Sequence, residues 1–205
     1  MARPLLLFAP GAGAPSTSPW MERWSARLAT LGRVVRFDYP YQREGRKAPD
    51  RLPKLIEAHR DALAEARGRH RVPVVLIGKS MGSRVGCHLA VEDGAVHALV
   101  CLAYPLVGQN GSVRDAVLLA LRTPVLFVQG SRDPMCPGHP LTDVRARMTA
   151  PSALHLVEGG DHSLELTKRA LAGRSQDDVD AAAFVAIAAF VAKVTINEPR
   201  DLTST

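Results

Sequence analysis

Residues 74–84 read Val-Val-Leu-Ile-Gly-Lys-Ser-Met-Gly-Ser-Arg. Four apolar residues, three of them β-branched, run into a glycine, then Gly-x-Ser-x-Gly, then a segment with helical character to about Glu92. That succession is a strand, a sharp turn and a helix, the connection a parallel sheet requires. The turn puts Ser80 at its apex, in a strained backbone conformation that lifts the hydroxyl above the sheet edge. Gly78 and Gly82 flank it where a packed elbow leaves little room for Cβ atoms. A serine hydroxyl is a poor nucleophile unless it is exposed, oriented and served by a base. The elbow supplies the first two, and the following helix aims its N-terminal N–H groups at the place where negative charge develops during acyl transfer. The same motif also fits a plain βα turn with Ser80 as a helix cap, so the partners decide.

Other segments extend the pattern. Residues 4–9 form a continuous apolar run, as in a strand buried on both faces, and end in a small-residue loop, Pro10-Gly11-Ala12-Gly13-Ala14-Pro15. Ser18-Pro19 is an N-cap followed by proline at the first helical position, and Trp20, Trp24, Leu28 and Leu31 carry that helix to Gly32. Strands are predicted at 34–39, 72–77, 95–103, 124–130 and 153–157. Helices are predicted near 55–68, 83–93, 116–121, 141–148 and 177–194, with 40–53 a polar loop. Six strands alternating with helices give an α/β fold, a three-layer sandwich with a mostly parallel six-stranded sheet and helices on both faces. Residues 1–197 form a single domain, and 198–205 a polar tail.

In such a sheet the ligand site lies beyond the carboxyl ends of the strands. The loops there carry Pro10-Gly11-Ala12-Gly13 after the first strand, Ser80 after the third, Gly130-Ser131-Arg132-Asp133 after the fifth and Gly159-Gly160-Asp161-His162-Ser163 after the sixth. A serine, a carboxylate and a histidine therefore converge on one edge. His162 is the expected base for Ser80, and Asp133 the acid that orients the imidazole. Asp133 before Pro134 also suits an ordinary turn. Asp161 competes as the acid but adjoins His162 and is poorly placed to accept from its ring. The oxyanion of a tetrahedral intermediate needs two donors, for which Met81 N–H and Ala12 N–H are the candidates. Gly11 and Tyr104 are expected to touch substrate. Lys79 and Arg84, beside the elbow, could attract an anionic group but read more simply as solvated charges, and the other six histidines read as structural or surface groups.

Composition narrows the classes. Of 205 residues 46% are hydrophobic and 22% charged, ordinary for a globular protein with ample core. The net charge of +6 comes mostly from scattered arginines with few aromatics among them, so no nucleic-acid module is recognisable. No apolar run is long enough to span a bilayer, and the N-terminal one reads as a strand, not a signal peptide. Three unclustered cysteines exclude a disulfide framework and a zinc site and suit a reducing cytosol; Cys87 and Cys101 belong to apolar segments, and Cys136 to an exposed loop.

With these residues in view the chain resembles an α/β-hydrolase. Gly78-Lys79-Ser80-Met81-Gly82, Gln129-Gly130-Ser131-Arg132-Asp133 and Gly160-Asp161-His162-Ser163 resemble the three active-site blocks of the dienelactone-hydrolase-like branch. Together with Ala9-Pro10-Gly11-Ala12-Gly13-Ala14 they resemble, more narrowly, the small hydrolase-like domain of bacterial proteins and of testis-expressed and NSL-complex-subunit relatives. The likeness runs from about Pro4 to Val194. It implies Ser80, Asp133 and His162 as nucleophile, acid and base, Ala12 and Met81 as oxyanion hole, and no cofactor or metal. Pro10-Gly11 stands where many relatives have His-Gly, the antiparallel first strand pair of the wider fold is missing, and Tyr104 to Arg122 is too short for a lid domain. The expectation is a cytoplasmic serine hydrolase with an open site for a small-molecule acyl substrate, with neither a nucleic-acid nor a membrane partner. An acyltransferase uses the same groups. The alternative is a non-catalytic binding or scaffold module that retains the fold.

Overall fold

The computed structural model describes residues 3–108 and 110–196; the polar tail expected over 198–205 lies outside them. In chain order the elements are β1 (Leu5–Ala9), α1 (Pro19–Leu28), β2 (Arg33–Arg36), α2 (Pro40–Arg43), α3 (Leu52–Arg67), β3 (Val74–Lys79), α4 (Met81–Glu92), β4 (Ala98–Leu102), α5 (Ala116–Ala120), β5 (Val125–Gly130), α6 (Gly138–Arg147), β6 (Ser152–Val157), α7 (Lys168–Leu171) and α8 (Gln176–Ile196). The strands form one sheet in the order β2-β1-β3-β4-β5-β6. All five pairings are parallel, so the sheet is wholly rather than mostly parallel.

The apolar runs explain which strands lie inside. β1, β4 and β5 are buried along their whole length, whereas the edge strands β2 and β6 are mostly half-buried and carry arginine, serine and histidine. Within β1 and β3 the side chains alternate. Leu6, Phe8, Val75 and Ile77 face α1 and α8, where Met21, Trp24, Leu28, Ala183, Ile187 and Val191 cover them. Leu5, Leu7, Val74 and Leu76 face the other layer, with Leu63 of α3, Cys87 and Leu89 of α4 and Leu141 of α6. The period of two thus builds two cores from one sheet.

The winding reverses between β1 and β3. From β1 the chain moves outward to β2, returns through α3 to β3 on the other side of β1, and continues one way to β6. The switch point therefore falls at the carboxyl ends of β1 and β3, the usual ligand position in such sheets. The loop Gly11–Gly13 and the elbow at Ser80 flank it.

Two short helices were not expected. α2 forms inside the 40–53 segment because Pro40 presets its first turn and Gln42 accepts a hydrogen bond from Tyr39 N (3.1 Å). α7 starts at Thr167, whose hydroxyl caps Ala170 N. Lone turns of this length leave no periodicity to read.

α3 carries His59, fully buried beside Phe37 and Tyr39. Its Nδ1 is 3.2 Å from the Tyr39 hydroxyl, and its Nε2 has no partner among the described residues. Burial pulls its pKa from 6.5 down to about 3. Between those values the unfolded chain binds the extra proton, so stability declines as pH falls through the window, by up to about 1.4 kcal/mol per pH unit. Urea unfolding at pH 7 and pH 5 will show this loss, and His59→Phe will flatten it. An unchanged slope in the variant would assign the acid sensitivity elsewhere.

Candidate active site

Ser80 sits between β3 and α4 with φ 50° and ψ −115°. A positive φ is costly for a non-glycine residue and persists only where the surroundings enforce it. Here Ser80 N donates to Leu102 O at the end of β4 (2.8 Å), and Ser80 O accepts from Ser83 N (3.0 Å) and the Ser83 hydroxyl (2.6 Å). Close packing holds the elbow as well. A Cβ at Gly78 would lie 2.2 Å from Ser83 N, and one at Gly82 would lie 2.6 Å from Pro10 O.

The loops after β5 and β6 are brought together in a similar way. A Cβ at Gly130 would fall 2.3 Å from Asp161 O, and Arg132 N donates to Gly160 O (2.9 Å). The Asp133 turn thereby lies against the His162 loop. His162 Nδ1 is 2.7 Å from Asp133 Oδ2, and His162 Nε2 is 2.8 Å from Ser80 Oγ. Asp133 is buried, and its carboxylate also accepts from Gln129 Nε2 (2.6 Å) and Met135 N (2.8 Å). An acceptor-only carboxylate at Nδ1 places the ring proton there and leaves Nε2 free to accept from serine. Asp161 is occupied otherwise: its Oδ1 accepts from Ser163 N (2.7 Å) and Glu165 N (3.0 Å), capping its own turn.

Lys79 is not the solvated charge expected beside the elbow. Its ammonium lies over the Trp20 ring (5.1 Å to the centroid) and donates to the His162 carbonyl. Burial lowers its pKa to about 8, against the opposing pull of Asp133, Asp161 and Glu165. Trp20 Nε1 donates to Ser163 O (2.9 Å), so two groups from the β1 and β3 side tether the loop that carries the imidazole. The spacing of Lys79 to Ser80 gave no sign of this, because the partner is a backbone carbonyl far along the chain.

Neither Ala12 N–H nor Met81 N–H donates to another group among the described residues. Sequence reading missed what holds Ala12. Gln42 Nε2 donates to Gly11 O (3.0 Å) and Ala14 O (2.9 Å), and the Tyr41 hydroxyl donates to Ala12 O (2.9 Å). With the Gly11 carbonyl tied to α2, planarity turns the Ala12 N–H to the opposite edge of that peptide. Gly11 borders the nucleophile: a Cβ there would come 3.6 Å from Ser80 Cβ.

Tyr104 is in a different position from the one expected. It is fully buried, edge-to-face on Phe127 (5.9 Å between ring centroids), with its hydroxyl donating to Arg114 O (3.2 Å). It supports the loop after β4 from beneath and does not present itself to a substrate. Cys136, expected in the open, is also buried; its loop folds inward as Cys136 N donates to Asp133 O (3.1 Å), and burial pushes the thiol up to about 12. Cys87 and Cys101 are buried free thiols with sulfurs 3.7 Å apart. Among the described residues no three His, Cys, Asp or Glu side chains gather to hold a metal ion, no helix is long and apolar enough to cross a membrane, and no lid covers the elbow.

Comparison with known proteins agrees with this architecture. Est1E from Butyrivibrio proteoclasticus superposes with a TM-score of 0.71 at 15% identity, over 96% of this chain and 90% of that one. An alpha-beta serine hydrolase homologue from Coxiella burnetii gives 0.67 at 16% identity, over 93% and 83%. The esterase domain of a Rhodothermus marinus protein gives 0.68 at 17%, over 95% and 89%. At these identities the likeness speaks for the fold. The model of the alpha/beta hydrolase domain matches residues 2–192, nearly the whole sequence. The chain belongs to the alpha/beta hydrolase family.

Proposed function

We propose that the protein is a serine hydrolase that cleaves a carboxylic ester or related acyl compound through an acyl-enzyme. The observation that carries this reading is the continuous relay from Asp133 Oδ2 through His162 to Ser80 Oγ, with contacts of 2.7 and 2.8 Å. As Ser80 Oγ attacks the acyl carbon, its proton passes to His162 Nε2, and Asp133 stabilises the imidazolium. The tetrahedral oxyanion takes hydrogen bonds from Met81 N–H and Ala12 N–H. The C–O bond then breaks, the alcohol leaves with the proton from Nε2, and a water repeats the sequence to release the acid. An alcohol or amine in place of that water makes the protein an acyltransferase. No step needs a cofactor, and with no lid over the elbow among the described residues a small ester suits the site better than a long buried acyl chain.

Labelling with a fluorophosphonate, read by intact and peptide mass spectrometry, tests the reading. A single adduct on Ser80 is expected in the wild type and none in Ser80→Ala. His162→Ala should slow labelling by at least about 10²-fold. Folded wild-type protein without an adduct would overturn the proposal and leave the binding-module alternative.

A further inference from the structure

The loop that carries the Ala12 N–H has nothing of its own to hold it. Residues 11–14 are glycine and alanine, with no polar side chain and little bulk. Gly13 and Ala14 are exposed, and a Cβ at Gly13 would meet nothing within 4 Å. Among the described residues no backbone–backbone hydrogen bond involves 11–14. A free chain of this composition samples many conformations, yet an oxyanion hole works only when its donors are already aimed.

The segment after β2 supplies what the loop lacks. At the loop's far end Ser16 N donates to Asp38 Oδ1 (2.6 Å), and Arg36 Nη1 donates to Ser16 O (2.7 Å). Nearer β1, the carbonyls of Gly11, Ala12 and Ala14 all accept from two adjacent side chains of α2, Gln42 and Tyr41. Gln42 fits this task atom by atom. Its Oε1 accepts from Tyr39 N (3.1 Å), a group that can only donate, so the orientation of the amide is fixed. The two Nε2 hydrogens then serve the Gly11 and Ala14 carbonyls, one each. Glutamate has the length but no donor to put there, and asparagine is one methylene short. The Tyr41 ring is buried in a cluster with Leu55, Ile56 and Val85, which fixes its hydroxyl against Ala12 O.

We infer that Gln42, with Tyr41 beside it, is a positioning residue for the oxyanion hole. It holds the Gly11–Ala12 peptide so that the Ala12 N–H is aimed before substrate arrives. This deepens the hydrolase reading and rests on it. Gln42 makes no hydrogen bond to Ser80, Asp133 or His162, so its contribution passes through one backbone donor.

The test compares kcat/KM for 4-nitrophenyl butanoate and for its thiono analogue, in which sulfur replaces the carbonyl oxygen. Sulfur accepts hydrogen bonds weakly, so the thiono ester gains little from a well-aimed donor. Gln42→Ala should lower the value for the oxygen ester about 30-fold and for the thiono ester about threefold, so the preference for oxygen shrinks about tenfold. Gln42→Glu keeps the bond from Tyr39 N and the turn of α2 but presents an acceptor to the two carbonyls. It should lose as much as Gln42→Ala; a wild-type preference in Gln42→Glu would mean that Gln42 only builds the helix, and would overturn the inference. Tyr41→Phe should shrink the preference about threefold. Melting curves check that each variant folds. Order parameters of the Gly11 and Ala12 amides, from 15N relaxation, read the clamp without chemistry: about 0.85 in the wild type and below about 0.6 in Gln42→Ala. Ester cleavage with an unchanged oxygen preference in both Gln42 variants would overturn the inference and leave the hydrolase standing. Neither cleavage nor a Ser80 adduct, with the loop still loosening in Gln42→Ala, would leave a clamped loop and remove the hydrolase, and the oxyanion role with it. Amides as mobile in the wild type as in Gln42→Ala would overturn the clamp itself.

Discussion

Asp133→Asn will lower kcat for a neutral ester by about 10³-fold or more while the protein still folds. The reason lies in the donors around the carboxylate. Oδ2 accepts from His162 Nδ1 and Gln129 Nε2, and Oδ1 accepts from Met135 N. An asparagine must direct its NH2 group at one of these sets. If the amide nitrogen takes the Oδ1 place, it meets the Met135 N–H, donor against donor, in a buried turn. If it takes the Oδ2 place, Gln129 can rotate and present its Oε1, which has no partner among the described residues. That second arrangement satisfies the buried amides, so it prevails. His162 Nδ1 must then accept, the ring proton moves to Nε2, and Nε2 can no longer take the proton of Ser80. The residual rate should reflect the oxyanion donors and binding alone. Steady-state kinetics beside a thermal melt will check this; a folded variant within tenfold of wild type would remove Asp133 from the mechanism.

How far the sequence could be read depended on whether an interaction was local. β1, β3, β4 and β5 were legible because strands buried on both faces must be written as apolar runs. Ser80, Asp133 and His162 were legible as a set because a parallel sheet delivers the residues after its strands to one edge. The Asp133 to His162 contact was harder to see, since Asp161 stands next to the histidine. It became decidable on the geometry of immediate neighbours, and Asp161 proves to cap its own turn. What escaped were side chains whose partners are backbone groups far along the chain. Lys79 reaches the carbonyl of His162, and Gln42 reaches those of Gly11 and Ala14. A carbonyl has no residue type, so no spacing announces it. Tyr104 and Cys136 failed differently. Both follow strands in segments without periodicity, where a loop is taken as exposed, yet here each loop turns its apolar members down onto the sheet. Lys79 carries one further lesson. Its lowered pKa means the folded state resists the charge, so below about pH 8 the buried ammonium costs stability, a cost that fades as pH rises toward the unfolded value of 10.5. A group that opposes folding at neutral pH has its explanation in the site, where it anchors the His162 loop.

Gly78→Ala will destabilise the protein by about 3 kcal/mol or more and will also disable the nucleophile. Gly78 lies in β3, paired with Ala9 on one side and Cys101 on the other, and the first turn of α4 packs directly on it. A methyl group there would sit 2.2 Å from Ser83 N and 2.4 Å from both Gly82 C and Ser83 Cα. These are backbone atoms, so no rotamer change relieves the overlap. Either α4 must lift from the sheet or β3 must bend between two strands that hold it on both sides. Lifting α4 carries Ser80 with it, because the elbow is the helix's own N-cap. A displacement of about 1 Å is enough to cost on the order of 10²-fold in rate. The two losses should therefore appear together: a lower urea midpoint, and a Ser80 that labels slowly with fluorophosphonate even at temperatures where the variant is folded. Gly94→Ala is the control. A Cβ there meets nothing within 4 Å, and the change should stay within about 0.5 kcal/mol. If Gly78→Ala proved as mild as Gly94→Ala, close backbone approach would not be what holds the elbow, and the strained φ of Ser80 would need another cause. If stability fell while labelling stayed at the wild-type rate, the sheet would have yielded in place of the helix, and the position of Ser80 would be fixed by its bond to Leu102 O rather than by the packing of α4.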